Sequence, residues 1–168
     1  MNPSGGGGDT QRRIAISGHR GLPASTVTLV EKAIRGILAR HAPEIRGVSC
    51  LADGADQIFA RAVVDLGGTL EAVVCSQRYR EDLPPDSLDE YDTLMGAAEK
   101  VHRLGYVEST GESHMEGSKL MLDLAEELYA VWDGKPARGY GGTADVVAEA
   151  RRRGIEVHVI WPDGARRE

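Results

Sequence analysis

From residue 55 onward, Ala55, Ile58, Phe59, Ala62, Val63 and Leu66 recur at steps of three and four. That period lines one face of a helix with apolar side chains, and Gly67-Gly68 ends it. Val30, Ala33, Ile34, Ile37 and Leu38 repeat the pattern in a helix that Pro23 opens in its first turn and Pro43 forbids to continue. Between these stretches the apolar positions stop alternating. Arg13 to Ser17, "GVSCLA" (Gly47 to Ala52), "TLEAVVCS", "LYAVWD" and "IEVHVIWP" are short, nearly unbroken apolar runs, the signature of strands buried on both faces. "LDEYDTLMGAAEK" predicts a further helix, with a short strand around Val101 to Leu104. A helix from Glu112 to Glu127 is expected, with Met121, Leu124, Ala125 and Leu128 on one face. The last helix spans Thr143 to Arg153, closed by Gly154. Strands alternating with helices predict an α/β domain with a mainly parallel sheet covered on both faces. The domain is expected over residues 12–163, between a disordered Gly-rich tail at 1–11 and a flexible tail at 164–168.

Composition narrows the function classes. With 41% hydrophobic and 27% charged residues, the 168-residue chain has the make-up of one soluble globular domain. Its net charge of -6, with basic residues scattered among acidic ones, argues against a long nucleic acid as partner. Arg151-Arg152-Arg153 and Arg166-Arg167 read as a helix end and a solvent-facing tail. No apolar run approaches the roughly 20 residues that cross a bilayer, and the start of the chain lacks the apolar core of a signal peptide, so no membrane partner and a cytoplasmic location are expected. Cys50 and Cys75 read as packed, reduced thiols. His19, His41, His102, His114 and His158 show no ligand spacing, with His158 in a core or edge strand; no metal and no cofactor are expected.

In an open parallel sheet the loops after strands carry ligands. Here these are "SGHRG" (Ser17 to Gly21), "ADGAD" (Ala52 to Asp56), "CSQRYR" (Cys75 to Arg80) and "WDGKPARGYGGTAD" (Trp132 to Asp145). Gly139, Gly141 and Gly142 precede a helix whose first amides carry partial positive charge, which predicts a phosphate site with Thr143 as N-cap. A plain flexible loop with the same cap fits the pattern equally. His19 and Arg20 either clamp a phosphate or face solvent, and Asp53 is placed as the N-cap of the following helix. Gln77, Arg78 and Tyr79 are positioned to meet a base or ribose, or to fill an ordinary loop. Trp132 either stacks on a base or closes a core strand. The GxGxxG turn of dinucleotide folds is absent, and Gly111 to Lys119 breaks the order of a P-loop.

Taken together, "SGHRG", "ADGAD", "SKLMLDLAEELYAVWDG" and "GYGGTADVVAEARRRG" resemble the SLOG superfamily, over nearly the whole chain after the tail. That superfamily includes the LOG phosphoribohydrolases, the DNA-processing protein DprA and the YspA-like proteins, and the pattern looks closest to the YspA-like branch. The resemblance implies a three-layer α/β/α Rossmann-like domain that binds a small nucleotide-like ligand in the manner of a sensor, and pairing as a homodimer. It implies Gly141, Gly142 and Thr143 as the phosphate loop and Ser17-Gly18 as the facing loop; His19, Arg20, Asp53, Gly54 and Gly139, from the loops read above, are the further candidate ligand-binding residues. LOG enzymes show PGGxGTxxE; here Val146 stands where that glutamate falls, and Ser118-Lys119 stands for the Arg-Lys pair. Phosphoribohydrolase activity would fall to Asp145 and Lys119, and a scaffold with a vestigial pocket is the third expectation.

Overall fold

A computed structural model describes residues 10–167 as alternating strands and helices; the expected tail lies largely outside these residues. Strand β1 (Arg12–Gly18) leads into helix α1 (Ala24–Leu38), β2 (Ile45–Ser49) into α2 (Ala55–Asp65), and β3 (Thr69–Ser76) through a 3-10 turn at Pro85–Ser87 into α3 (Leu88–Ala97). There follow β4 (Lys100–Tyr106), α4 (Gly111–Asp123), β5 (Glu127–Val131), α5 (Thr143–Arg152) and β6 (Glu156–Val159). The helix expected to reach Glu127 stops at Asp123. Strand pairing takes the rest: the Glu126 amide donates to the Arg13 carbonyl at 3.0 Å, and Leu128 pairs with Ala15 in the sheet.

All ladders are parallel, in the order β4-β3-β2-β1-β5-β6. The chain walks outward from β1 to β4, then crosses back to β5 on the other side of β1. Right-handed crossovers in opposite directions place α1, α2 and α3 on one face and α4 and α5 on the other, and packing follows suit, α1 on α2, α2 on α3, and α4 on α5. This is a three-layer α/β fold of the Rossmann-like kind. Val30, Ile34 and Leu38 of α1 and Phe59, Ala62 and Val63 of α2 bury against Ile14, Ile16 and Val131. Met121 and Leu122 of α4 and Val146, Val147 and Ala150 of α5 bury against Ala15, Val48 and Ala130.

At the amino ends of the strands, two buried carboxylates are partnered on both sides. Glu127 accepts from Arg12 at 2.7 Å and lies 2.9 Å from His158 Nε2, while Glu71 accepts from Arg46 at 3.1 Å and lies 2.7 Å from His102 Nε2. Both glutamates are buried, and each bridges a strand on either side of it. His158 thus sits on an edge strand.

Candidate functional site

The strand order reverses between β1 and β5, and there the two following turns part to open a cleft of about 520 Å³ at the carboxyl ends of the strands. Adjacent strands whose connections leave in opposite directions must leave such a crevice. One wall is the β1 turn, Ser17 to Arg20; the other is the turn Gly139 to Thr143 that opens α5. The structure therefore brings the two expected loops together. It does not bring Asp53 and Gly54 to the same surface.

Asp53 acts one layer behind. Its carboxylate accepts from Arg20 Nε at 2.8 Å and from the Gly21 amide at 3.0 Å, which holds Arg20 against the cleft. The expected Asp53 N-cap is not formed: Gly54 occupies the cap position of α2 with no side-chain bond. Gly54 has φ of +86°, and a Cβ there would stand 2.6 Å from the His19 carbonyl, so its glycine serves the turn. Burial opposes the Arg20 charge, but the bond to Asp53 and its attraction keep the guanidinium pKa above its ordinary value.

The glycine turn differs from expectation in a similar way. Thr143 does not cap α5; Gly142 holds that position, and Thr143 is the first helical residue. The Gly141 amide is not open either, because the Asp145 carboxylate accepts it at 2.9 Å, and the Gly142 amide donates to the Gly139 carbonyl at 3.3 Å. Gly141 reaches this arrangement at φ +89°, with Gly111 backbone packed where a Cβ would be. At the start of α5, the amides of Thr143 and Ala144 carry no hydrogen bond among the described residues. Asp145 is spent on the turn and Lys119 pairs with Glu116 at 3.3 Å; neither lines the cleft. The expected reactive pair is therefore not assembled there.

His19 is almost fully buried, at 4% exposure. Its Nε2 accepts the Asp133 amide at 3.1 Å and lies 3.3 Å from the Asp133 carboxylate. One nitrogen cannot accept the first and donate to the second. Burial, followed by the charge of Arg167, lowers the His19 pKa, so the neutral ring accepting from the amide is the form present, with its proton on Nδ1. That Nδ1 has no partner among the described residues. Burial opposes the Asp133 charge, but the Lys135 amide, which donates to Oδ1 at 2.9 Å, and the charge of Arg167 outweigh it and lower the pKa.

Several cleft residues had no counterpart in the sequence reading. Arg167, expected to face solvent, lines the cleft because the tail is stitched down by Arg166, which exchanges two hydrogen bonds with the Thr26 hydroxyl at 2.8 and 2.9 Å. Arg138 lines the cleft without an ion pair among the described residues. Burial, and then the neighbouring charge of Arg138, lowers the Arg167 pKa, although Asp133, 3.9 Å away, opposes the shift. Deeper in lie Asp56, Tyr79, His114 and Ser118, over a floor that includes Cys50, Cys75 and Met121. The thiols are free and 3.7 Å apart. Of the β3 loop residues, Tyr79 reaches the cleft, whereas Arg78 points to Glu81 and Glu108 on the surface. Trp132 does not line the cleft; its Nε1 donates to the Lys135 carbonyl at 2.8 Å, and the aromatic at the mouth is Tyr140, 63% exposed.

No protein-family model and no curated protein matches the chain. Solved structures do. The DNA processing protein A (DprA) from Streptococcus pneumoniae is 20% identical with a TM-score of 0.67, over 92% of this chain and 52% of that one. DprA from Helicobacter pylori is 15% identical with a TM-score of 0.66, over 94% of this chain and 69% of that one. The Moco carrier protein from Chlamydomonas reinhardtii is 14% identical with a TM-score of 0.56, over 89% of this chain and 76% of that one. The chain thus spans about half the length of the pneumococcal protein. At these identities the likeness is one of fold, and the fold is the one the SLOG resemblance implied. Among the described residues no helix is long and apolar enough to cross a membrane.

Proposed function

We propose that the chain binds a small phosphate-bearing ligand, a nucleotide or nucleotide-derived molecule, in the cleft between the β1 turn and the start of α5. The observation that carries this reading is the convergence on one cleft of Arg20, Arg138 and Arg167 with Thr143, whose amide carries no hydrogen bond among the described residues. Guanidinium groups and helix-start amides are the groups that hold phosphate, and while Arg20 pairs with Asp53 and Arg167 lies 3.9 Å from Asp133, Arg138 has no ion pair among the described residues. A volume of about 520 Å³ suits a ligand of mononucleotide size. Tyr140 offers a ring face at the mouth on which a base can stack. That the likeness in fold extends to molybdenum-cofactor carriers agrees with a carrier- or sensor-like role. In this reading the protein works in the cytoplasm, as a homodimer, with the YspA-like branch as its place in the superfamily.

Hydrolysis of the glycosidic bond is the weaker reading, because Asp145 and Lys119 are engaged elsewhere. Single-stranded DNA, which the Helicobacter pylori DprA binds, is the competing ligand. A net charge of -6 and the size of the cleft favour the small molecule. Thermal shift with AMP, ADP-ribose and the molybdenum cofactor tests the reading, and a ligand at a hundred times its Kd adds about 2.7 kcal/mol of stability. A shift with a single-stranded oligonucleotide and none with the small molecules would reverse the assignment. Release of free base from AMP would restore the enzyme.

A further inference from the structure

The proposed phosphate subsite accounts for the arginines at the mouth of the cleft but not for the carboxyl at its inner end. Asp56 is 9% exposed and lines the cleft. One hydrogen bond reaches its carboxyl, from the Ala52 amide to Oδ2 at 3.3 Å. No cation stands within ion-pair distance among the described residues, since the nearby Arg20 is committed to Asp53. A buried carboxyl with one long backbone bond is short of donors, because an ionised carboxylate accepts about four.

The turn that presents it is held with some force. Leu51, just after β2, is fully buried with φ of +60°, a conformation unfavourable for a side chain of its kind. Its amide donates to Ser49 Oγ at 3.0 Å, and its carbonyl accepts Gln57 Nε2 at 3.1 Å. Ser49 Oγ in turn donates to the Asp56 carbonyl at 3.2 Å. Backbone strain kept in place by such a web belongs with sites where a side chain must be aimed.

Building on the proposed phosphate site, we propose that Asp56 reads the organic part of the ligand, its carboxylate accepting hydrogen bonds from donors on the ring attached to the phosphate. The ring chemistry required is a hydroxyl or N–H pair, as in the vicinal diol of a ribose or the amino edge of a base. Tyr79, His114 and Ser118 complete this inner wall, and the sulfurs of Cys50, Cys75 and Met121 give the ring an apolar floor.

The ionisation state fits. Burial raises the Asp56 pKa to about 7, against the Ala52 amide and Arg20, which lower it, and with Asp53, which raises it. Of the other groups around it, burial lowers His114, burial raises Tyr79 well above its ordinary value, and the contact with Cys75 raises Cys50, each shift leading away from neutral pH. A ligand that donates to the carboxylate binds its ionised form, so affinity rises with pH through about 7 and binding releases a proton.

Isothermal titration with ribose 5-phosphate, AMP and methyl phosphate tests this, because methyl phosphate carries the same kind of ester without ring donors. In the unmodified protein, ribose 5-phosphate or AMP should release more protons than methyl phosphate when measured in two buffers of different ionisation enthalpy. Asp56→Asn should weaken the donor-bearing ligand by about tenfold or more, leave methyl phosphate unchanged and abolish the extra proton release. An Asp56 dependence already present with ribose 5-phosphate assigns the diol; one that appears only with AMP assigns the base. If methyl phosphate binds and neither larger ligand shows an extra proton or a dependence on Asp56, the phosphate site stands and the role of Asp56 is overturned. If none of the three binds the unmodified protein, both fall.

Discussion

The two ends of the sheet treat charge in opposite ways. At the amino ends, Glu71 and Glu127 are buried, and each is closed into a network with an arginine from one neighbouring strand and a histidine from the other. At the carboxyl ends, Asp56 lacks a cation, Arg138 lacks an anion, and His19 Nδ1 lacks any partner among the described residues. The same groups that stabilise the fold when matched are costly when unmatched. In the proposed reading, the open end serves a ligand that arrives from outside.

The largest expected effect is on Asp56. A pKa raised from 3.8 to about 7 corresponds to roughly 4 kcal/mol of disfavoured charge as an upper figure. The folded protein holds this proton after the unfolded chain has lost it. Stability therefore falls as pH rises from about 4 to about 7 and is flat above. Asp56→Asn should raise the melting temperature at pH 8 and lose that advantage below about pH 4, as read by calorimetry across pH. A melting temperature lowered by the substitution at pH 8 would mean the carboxylate is satisfied within the fold, and the contrast between the ends would fail.

Glu71→Ala should act in the other direction, costing about 2–3 kcal/mol in urea unfolding by leaving His102 without its acceptor and Arg46 with only Glu99 and Gln11. Burial opposes the Glu71 charge, but His102 and Arg46 outweigh it and lower its pKa. Its stabilising contribution is present above the unfolded pKa near 4.5 and is lost as pH falls through the lower folded value. Ligand affinity should not change in this variant.

Arg138→Ala should do the converse, weakening phosphate-bearing ligands by roughly tenfold, about 1.4 kcal/mol, with stability unchanged or improved once Arg167 loses its like-charged neighbour. Equal affinity in the variant would remove Arg138 from the site. Smallest of all is Lys119→Ala, a partly exposed residue paired among the described residues with Glu116 one turn earlier. It should alter both stability and affinity by less than about 0.5 kcal/mol, and a larger loss of affinity would return Lys119 to the cleft.

The elements were legible where one period dominated. The apolar steps from Ala55 to Leu66 became α2, and the run at Thr69 to Ser76 became β3 residue for residue. The helix end near Asp123 was hidden, because Leu124, Ala125 and Leu128 suit a helix face as well as a strand, and pairing with β1 decided between them. Both caps were misplaced for one reason. Asp53 and Thr143 have the side chains for an N-cap, but glycine turns at Gly54 and Gly141 moved the cap by one residue and freed Asp53 to hold Arg20.

By itself the sequence determined the alternation of strands and helices, and hence a parallel sheet with glycine-rich turns at one end, because hydrophobic period and turn chemistry act over a few residues. Which groups face one another across that end was decided only in three dimensions. Arg167 comes to the cleft because Arg166 bonds a threonine 140 residues away, and Asp56 is short of donors because the fold buries it where no cation reaches. Burial and charge pairing are properties of the packed whole, and no local pattern of residues records them.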